Sequence, residues 1–177
     1  MLYARVNGSF ALWDPIRNYW HERSPRGGVR NIDVYRFSES DIWNGLEVEL
    51  QNGSRQVVCN GLIRDWVTWQ FVEGSEETFD TFTKVLNHVS PHIQETLKPG
   101  KPMKLPPDDR PIPTLDLPYG PVPVIHASAG IKRILAIAYL LVWAWEAHKQ
   151  ASKQLGGLPQ SKFVIIVDEV EAHLHPQ

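Results

Sequence analysis

Apolar and polar residues alternate through the first sixty positions with the two-residue period of half-buried strands. Leu2 to Val6 and Ser9 to Trp13 flank Asn7-Gly8, a dipeptide that tolerates positive φ and so favours a tight hairpin, before Asp14-Pro15 breaks the pattern. Asn31 to Phe37 predicts another strand, and Leu46 to Gln51 can pair with Arg55 to Cys59 across Asn52-Gly53. Residues 1–60 are therefore expected to be β-rich. From Gly61 the period lengthens. Leu62, Trp66 and Trp69 fall at helical spacing, and after Gly74 the residues Phe79, Phe82, Leu86 and Val89 line one stripe of a second helix. Ser75 is its expected cap, Glu76 and Glu77 suit the positive end of the helix dipole, and Ser90-Pro91 should end it. This is the helical part, 61–98. Nine of the chain's fourteen prolines then lie between Pro99 and Pro123, which excludes regular helix and disfavours central strands. Residues 99–127 are expected to be an ordered connector, with Asp108-Asp109-Arg110 forming a turn in preference to a metal or ion-pair site.

The remaining stretch, 128–177, holds the chemistry. Ser128-Ala129-Gly130 precedes the apolar run Ile134 to Trp145 and the polar tail Glu146 to Gln154, a pattern that predicts one long core helix with Ser128 at its start. That start offers unpaired N–H groups and a positive dipole to an anion, or simply a capped helix end. Gly156-Gly157-Leu158-Pro159 breaks the chain before Phe163 to Val167, an unbroken apolar run rich in β-branched residues that predicts a strand of a parallel sheet buried on both faces. It ends in Asp168-Glu169, at the carboxyl edge where open α/β sheets place their ligands. One acid there can hold Mg²⁺ through water while its neighbour acts as a general base; a loop-capping role is the other use of such a pair.

Taken together, Ser128-Ala-Gly-Ile-Lys-Arg133 with its apolar helix and Phe163-Val-Ile-Ile-Val-Asp-Glu-Val-Glu-Ala-His-Leu-His-Pro176 resemble the ABC-type ATPases. The closest likeness is to the SMC, RecF and OLD (overcoming lysogenization defect) branch, often grouped with the AAA ATPases. The resemblance implies an α/β fold, a partial P-loop NTPase domain with an N-terminal antiparallel β-layer, a helical lobe, a signature helix and a Walker B strand. It makes Ser128 and Gly130 the signature contacts to the γ-phosphate of ATP in trans, Asp168 the Mg²⁺ residue, Glu169 the catalytic base, and Glu171 to Pro176 the D-loop region. Ala129 stands where many signatures have glycine. The implied assembly is a head-to-tail dimer, with DNA or a nuclease as further partners that no residue here specifies. The whole chain, 1–177, is expected to be one partial domain.

The phosphate cradle G-x-x-x-x-G-K-[ST] is missing from the sequence; Gly100-Lys101 is followed by Pro102 and lacks the other elements. In such ATPases the cradle lies N-terminal to everything seen here, and the switch histidine would fall past Gln177. The expectation is a piece of a longer ATPase in which Met1 need not be the start. Gln70 sits in a helical pattern, so the Q-loop glutamine is unassigned.

Composition narrows the picture further. A formal charge of −2 over 177 residues gives no general attraction to nucleic acid or membrane, and the three arginines between His21 and Arg30 are expected in a solvated loop. Trp13, Trp20 and Trp43 are expected in the core, not on a base-stacking surface. The single cysteine, Cys59, rules out an intrachain disulfide and fits a reducing cytoplasm. No signal peptide is visible, and Ile134 to Trp145 is shorter than the roughly 18 residues of a membrane span. Two other functions remain compatible with the sequence. Asp168, Glu169, Glu171, His173 and His175 could converge as the metal site of a hydrolase, or the chain could be a non-catalytic scaffold derived from an ATPase.

Overall fold

The computed structural model describes residues 1–14, 34–49, 53–90, 97–106 and 108–168. The expected first hairpin forms: β1 (Leu2–Ala4) runs antiparallel to β2 (Phe10–Leu12), with Leu2 opposite Leu12 and Ala4 opposite Phe10. At the turn, the Asn7 side chain accepts from the Ser9 N–H at 3.1 Å and the Ser9 hydroxyl at 2.7 Å, while Gly8 takes a φ of 84°. β3 (Tyr35–Phe37) adds to the other side of β2, antiparallel. The first residues of its predicted strand, Asn31 to Asp33, lie outside the described residues, as do Trp20, the arginines between His21 and Arg30, Asn52, Pro91 and the stretch 169–177.

A short helix that periodicity does not announce follows, α1 (Glu39–Asn44). Its cue is a capping box: the Asp41 N–H donates to the Ser38 hydroxyl at 3.2 Å and the Ser38 N–H donates to the Asp41 carboxylate at 2.8 Å, so two donors otherwise left over at a helix start are satisfied reciprocally. β4 (Leu46–Glu49) and β5 (Arg55–Cys59) then make the second expected hairpin. Both predicted helices are present, α2 (Leu62–Phe71) and α3 (Glu76–Val89). Ser75 occupies the cap position of α3 without a side-chain hydrogen bond, leaving Glu76 and Glu77 to complement that end. At the other end the Ser90 hydroxyl donates to the Leu86 carbonyl at 2.9 Å.

The proline-rich stretch is more regular than a connector. It forms five short strands, β6 (Lys98–Pro99), β7 (Met103–Leu105), β8 (Asp108–Ile112), β9 (Thr114–Leu117) and β10 (Gly120–Pro123). Their arrangement obeys the proline restriction: in the sheet ordered β10-β9-β6 the central strand β9 is proline-free, and Pro99, Pro121 and Pro123 stand on the edges, where a missing N–H costs no ladder bond. β7 and β8 pair separately. Asp108-Asp109-Arg110 is not a turn. It opens β8, and the Arg110 guanidinium grips Asp108 at 2.8 Å while reaching Asn44 of α1 at 3.1 Å.

One long helix, α4 (Ala129–Gln154), binds these pieces together. Its buried residues include Leu135, Tyr139, Leu140 and Trp143, and they belong to the same core cluster as Phe10 and Phe37 of the first sheet and Phe82 and Leu86 of α3. Trp143 meets Phe37 edge-on with centroids 5.5 Å apart, and Tyr139 stacks on Trp69 of α2 at 5.7 Å. Finally β11 (Ile165–Val167) pairs parallel with β1, giving the sheet order β11-β1-β2-β3. The described residues thus form a mixed α/β structure of small sheets and four helices, none long and apolar enough to cross a membrane. Trp43 is buried as expected, but Trp13, just past the end of β2, is 40% exposed and is not a core residue.

Two polar or backbone features hold the centre to tight tolerances. Asp65 of α2 is only 5% exposed; its carboxylate accepts from the Asn60 amide at 2.8 Å and the Tyr139 hydroxyl at 2.9 Å, joining α2 to α4. Burial pushes its pKa above the usual carboxylate value in spite of both hydrogen bonds. The second feature is a backbone crossing just before α2: a Cβ on Gly61, whose φ is 87°, would lie 2.4 Å from the Gly45 nitrogen. Only glycine fits there.

Each feature generates a test. Since Asp65 binds its proton more tightly in the folded chain than in the unfolded one, its contribution to stability is full below the unfolded value of 3.8 and is lost as pH rises through the higher folded value. Urea denaturation of wild type and Asp65→Asn between pH 4 and pH 7 should show the wild type gaining on the variant as pH falls; a constant difference would rule out a raised folded pKa. Gly61→Ala should cost roughly 3 kcal/mol or more, by clash plus positive φ, whereas Gly53→Ala, also at positive φ but facing open space, should cost roughly 1 to 2 kcal/mol. Equal losses in the same assay would mean that the Gly61 crossing is slack.

Candidate functional site

The strand that carries Asp168 is parallel, as expected, but it is not buried on both faces. β11 is an edge strand among the described residues: β1 covers one side, and Phe163, Val164, Ile165 and Ile166 are 41–57% exposed. An apolar run records that burial suits its side chains, but not whether a second neighbour is present to provide it. Only Val167, opposite Ala4, packs against the core.

The approach to β11 is fastened at several points. Leu2 donates its N–H to the Val164 carbonyl at 2.9 Å. Upstream, His148 of α4 lies between Asp14 and Gln160. The Gln160 backbone N–H can only donate, so Nε2 of His148, 3.0 Å away, is the acceptor, and the ring proton sits on Nδ1, 3.1 Å from the Asp14 carboxylate. The ring is thereby held between the end of β2 and the segment leading into β11.

Asp168 stands immediately after β11, exposed, at the carboxyl end of both β11 and its parallel neighbour. Its N–H donates to the Ala4 carbonyl at 3.0 Å, continuing the ladder by one residue. Its Oδ2 accepts a hydrogen bond of 3.1 Å from the Tyr3 hydroxyl, and this bond, together with the negative charge, pushes the Tyr3 phenol above its usual range. The Arg5 guanidinium lies 5.9 Å from the centroid of the Tyr3 ring. Sequence inspection singles out neither Tyr3 nor Arg5; their part emerges only from the register, which sets Tyr3 beside Ile166 and the next outward position, Arg5, beside Asp168.

Ser128 caps α4 in fact: its hydroxyl accepts from the Ile131 N–H at 3.3 Å, and Ser128 and Ala129 are exposed, with Gly130 partly so. A cavity of about 380 Å³ opens beside this first turn, lined by Ala129, Gly130, Lys132 and Arg133 from α4, Gly8 from the hairpin turn and Glu39 from α1. Arg133 lies with its guanidinium 4.1 Å from the centroid of Phe10 and donates through Nη2 to the Arg5 carbonyl, while its Nε and Nη1 are buried without a hydrogen-bond partner among the described residues. Desolvation lowers its pKa and Glu39 opposes the shift, so it remains a cation at any ordinary pH.

Asp168 and the first turns of α4 are thus tied to consecutive residues, Asp168 to Ala4 at the end of β1 and Arg133 to Arg5 just after it. Glu169, Glu171, His173 and His175 lie outside the described residues, and among the described residues no three His, Cys, Asp or Glu side chains gather as a metal site. Gln70 does lie within a helix, α2, where its amide donates to the Gly100 carbonyl at 3.0 Å. Cys59 is buried, and burial pushes its thiol up, away from the reactive thiolate. Comparison with family models, curated proteins and solved structures gives no match to this chain.

Proposed function

We propose that this chain is part of an ATP-binding and ATP-hydrolysing module of the ABC type, similar to the SMC, RecF and OLD branch, acting in the cytoplasm as a head-to-tail dimer. The observation that carries the proposal is the pair of features just described: an acid at the carboxyl end of a parallel strand, and a serine-capped helix start, each on an element linked to the end of β1 or the residue after it. A nucleotide hydrolase of this type needs both features, one for its own nucleotide and one for its partner's.

The residues fit the group they would hold. The exposed Asp168 carboxylate is a hard oxygen donor of the kind Mg²⁺ takes, through one of its waters. Bound Mg²⁺ neutralises charge on the phosphates of ATP. Glu169 would accept a proton from the attacking water. Ser128, through its hydroxyl, and Gly130, through its backbone N–H, would donate to the γ-phosphate presented by the partner's P-loop, in a site where preorganised donors act with little reorganisation. The P-loop itself must come from residues other than these 177, so positioning and charge neutralisation are incomplete in this chain alone.

Two outcomes follow. A polypeptide of residues 1–177 should hydrolyse ATP no faster than background, and turnover that Glu169→Gln abolishes would show that a phosphate cradle exists within it. In protein that also carries the P-loop, Ser128→Arg should leave folding nearly intact, because losing an exposed cap costs about 1 kcal/mol, but should abolish ATP-induced dimerisation and turnover. Mixing Ser128→Arg subunits with P-loop-dead subunits rebuilds one intact composite site. Measurable recovery of turnover in the mixture is expected. Unimpaired turnover by Ser128→Arg itself would remove Ser128 from the site.

A further inference from the structure

We propose that Tyr3 is a positioning residue for Asp168, setting the direction in which that carboxylate meets the metal's water shell; this rests on the ATPase function proposed above. Tyr3 and Asp168 are 165 positions apart in sequence, yet the Tyr3 hydroxyl donates to Asp168 Oδ2 at 3.1 Å. Two degrees of freedom decide where a carboxylate at a strand end points: the path of its backbone and the torsions of its side chain. The first is set by the Asp168 N–H bond to the Ala4 carbonyl at 3.0 Å, which carries the β1–β11 ladder past Val167. The second is restrained by the phenol, since engaging one oxygen narrows the directions open to the other. The phenol is itself held. Tyr3 sits in the middle of β1, between β2 and β11, opposite Ala11 on one side and Ile166 on the other, with the Arg5 guanidinium near its ring.

A rigid anchor of this kind has a known chemical value. Groups that hydrogen-bond to a metal-binding carboxylate orient it and tune its basicity, and removing one typically weakens metal binding by about tenfold or more. The residue needed is one with a hydroxyl at the end of a long rigid ring, because β1 and β11 fix their backbones side by side and the donor must extend past Ile166 toward the strand end. Phenylalanine would keep the ring and its packing and remove only the proton donor.

The test uses protein that also carries the P-loop, with Glu169→Gln to prevent turnover and with saturating ATP. Mn²⁺ affinity is measured from its effect on water-proton relaxation, a readout independent of catalysis. Wild-type Tyr3 is compared with Tyr3→Phe, each with Asp168 and with Asp168→Asn, to complete a double-mutant cycle. Tyr3→Phe should weaken Mn²⁺ binding about tenfold when Asp168 is present and have little further effect in Asp168→Asn. Unchanged or tighter binding in Tyr3→Phe, beside a clear loss in Asp168→Asn, would overturn the positioning role alone. An equal loss from Tyr3→Phe in both backgrounds would also overturn it, since the effect would not pass through Asp168. Wild-type affinity in Asp168→Asn would remove Asp168 from the metal site, and the ATPase assignment of that residue would fall together with the role of Tyr3.

Discussion

Burial of α4 is the constraint on which the other elements depend. A helix with Leu135, Tyr139, Leu140 and Trp143 buried cannot cover its own apolar surface, so sheet and helices must close on it from different sides. Phe10 and Phe37 supply one wall and Trp66, Trp69, Phe82 and Leu86 another, with aromatic edges and faces making much of the contact. The buried Asp65 then acts as a register pin. Its two donors, Asn60 and Tyr139, reach it only when α2, the end of β5 and α4 are correctly placed, because a buried carboxylate without those donors is costly. Position along α4 is therefore specified by a polar contact inside an apolar interface.

The same helix links core to surface. Its middle is packed, but its first turn is exposed at Ser128 and Ala129, beside the hairpin turn and α1. Arg133 is the joint between the two regimes: its guanidinium covers Phe10 and its Nη2 holds the Arg5 carbonyl. Anything that binds at the helix start would therefore press on an element whose other end is fastened through His148 to Asp14 and to the segment leading into β11.

Local chemistry made much of this fold legible in the sequence. Asn7-Gly8 marked its hairpin, the period change at Gly61 marked α2, and the stripe from Phe79 to Val89 marked α3, because each is written in neighbouring residues. Ser128 and Asp168 were legible in the same way, as the residues at a helix start and a strand end. What could not be read was set by distant partners. The exposure of β11 depends on which edges are covered, the exposure of Trp13 on how the end of β2 leaves the core, and the strands between Pro99 and Pro123 on prolines falling at edges instead of centres. α1 was written locally, in Ser38 and Asp41, but it is too short to show a period. Tyr3 was hidden for the opposite reason, since nothing near it in sequence indicates Asp168.

The placement of β1 also bears on how the molecule is made. It lies between β2, its immediate successor, and β11, whose residues follow it by about 160 positions, a pairing of the long-range kind that slows folding. During synthesis the hairpin can close early, while one edge of β1 stays open to water and to other chains until the residues of β11 have also been translated. The residues that fasten β11, among them Leu2 and Ala4, then leave the ribosome well before the partners they must find. A single parallel strand pair makes completion of this sheet wait on residues about 160 positions downstream of β1.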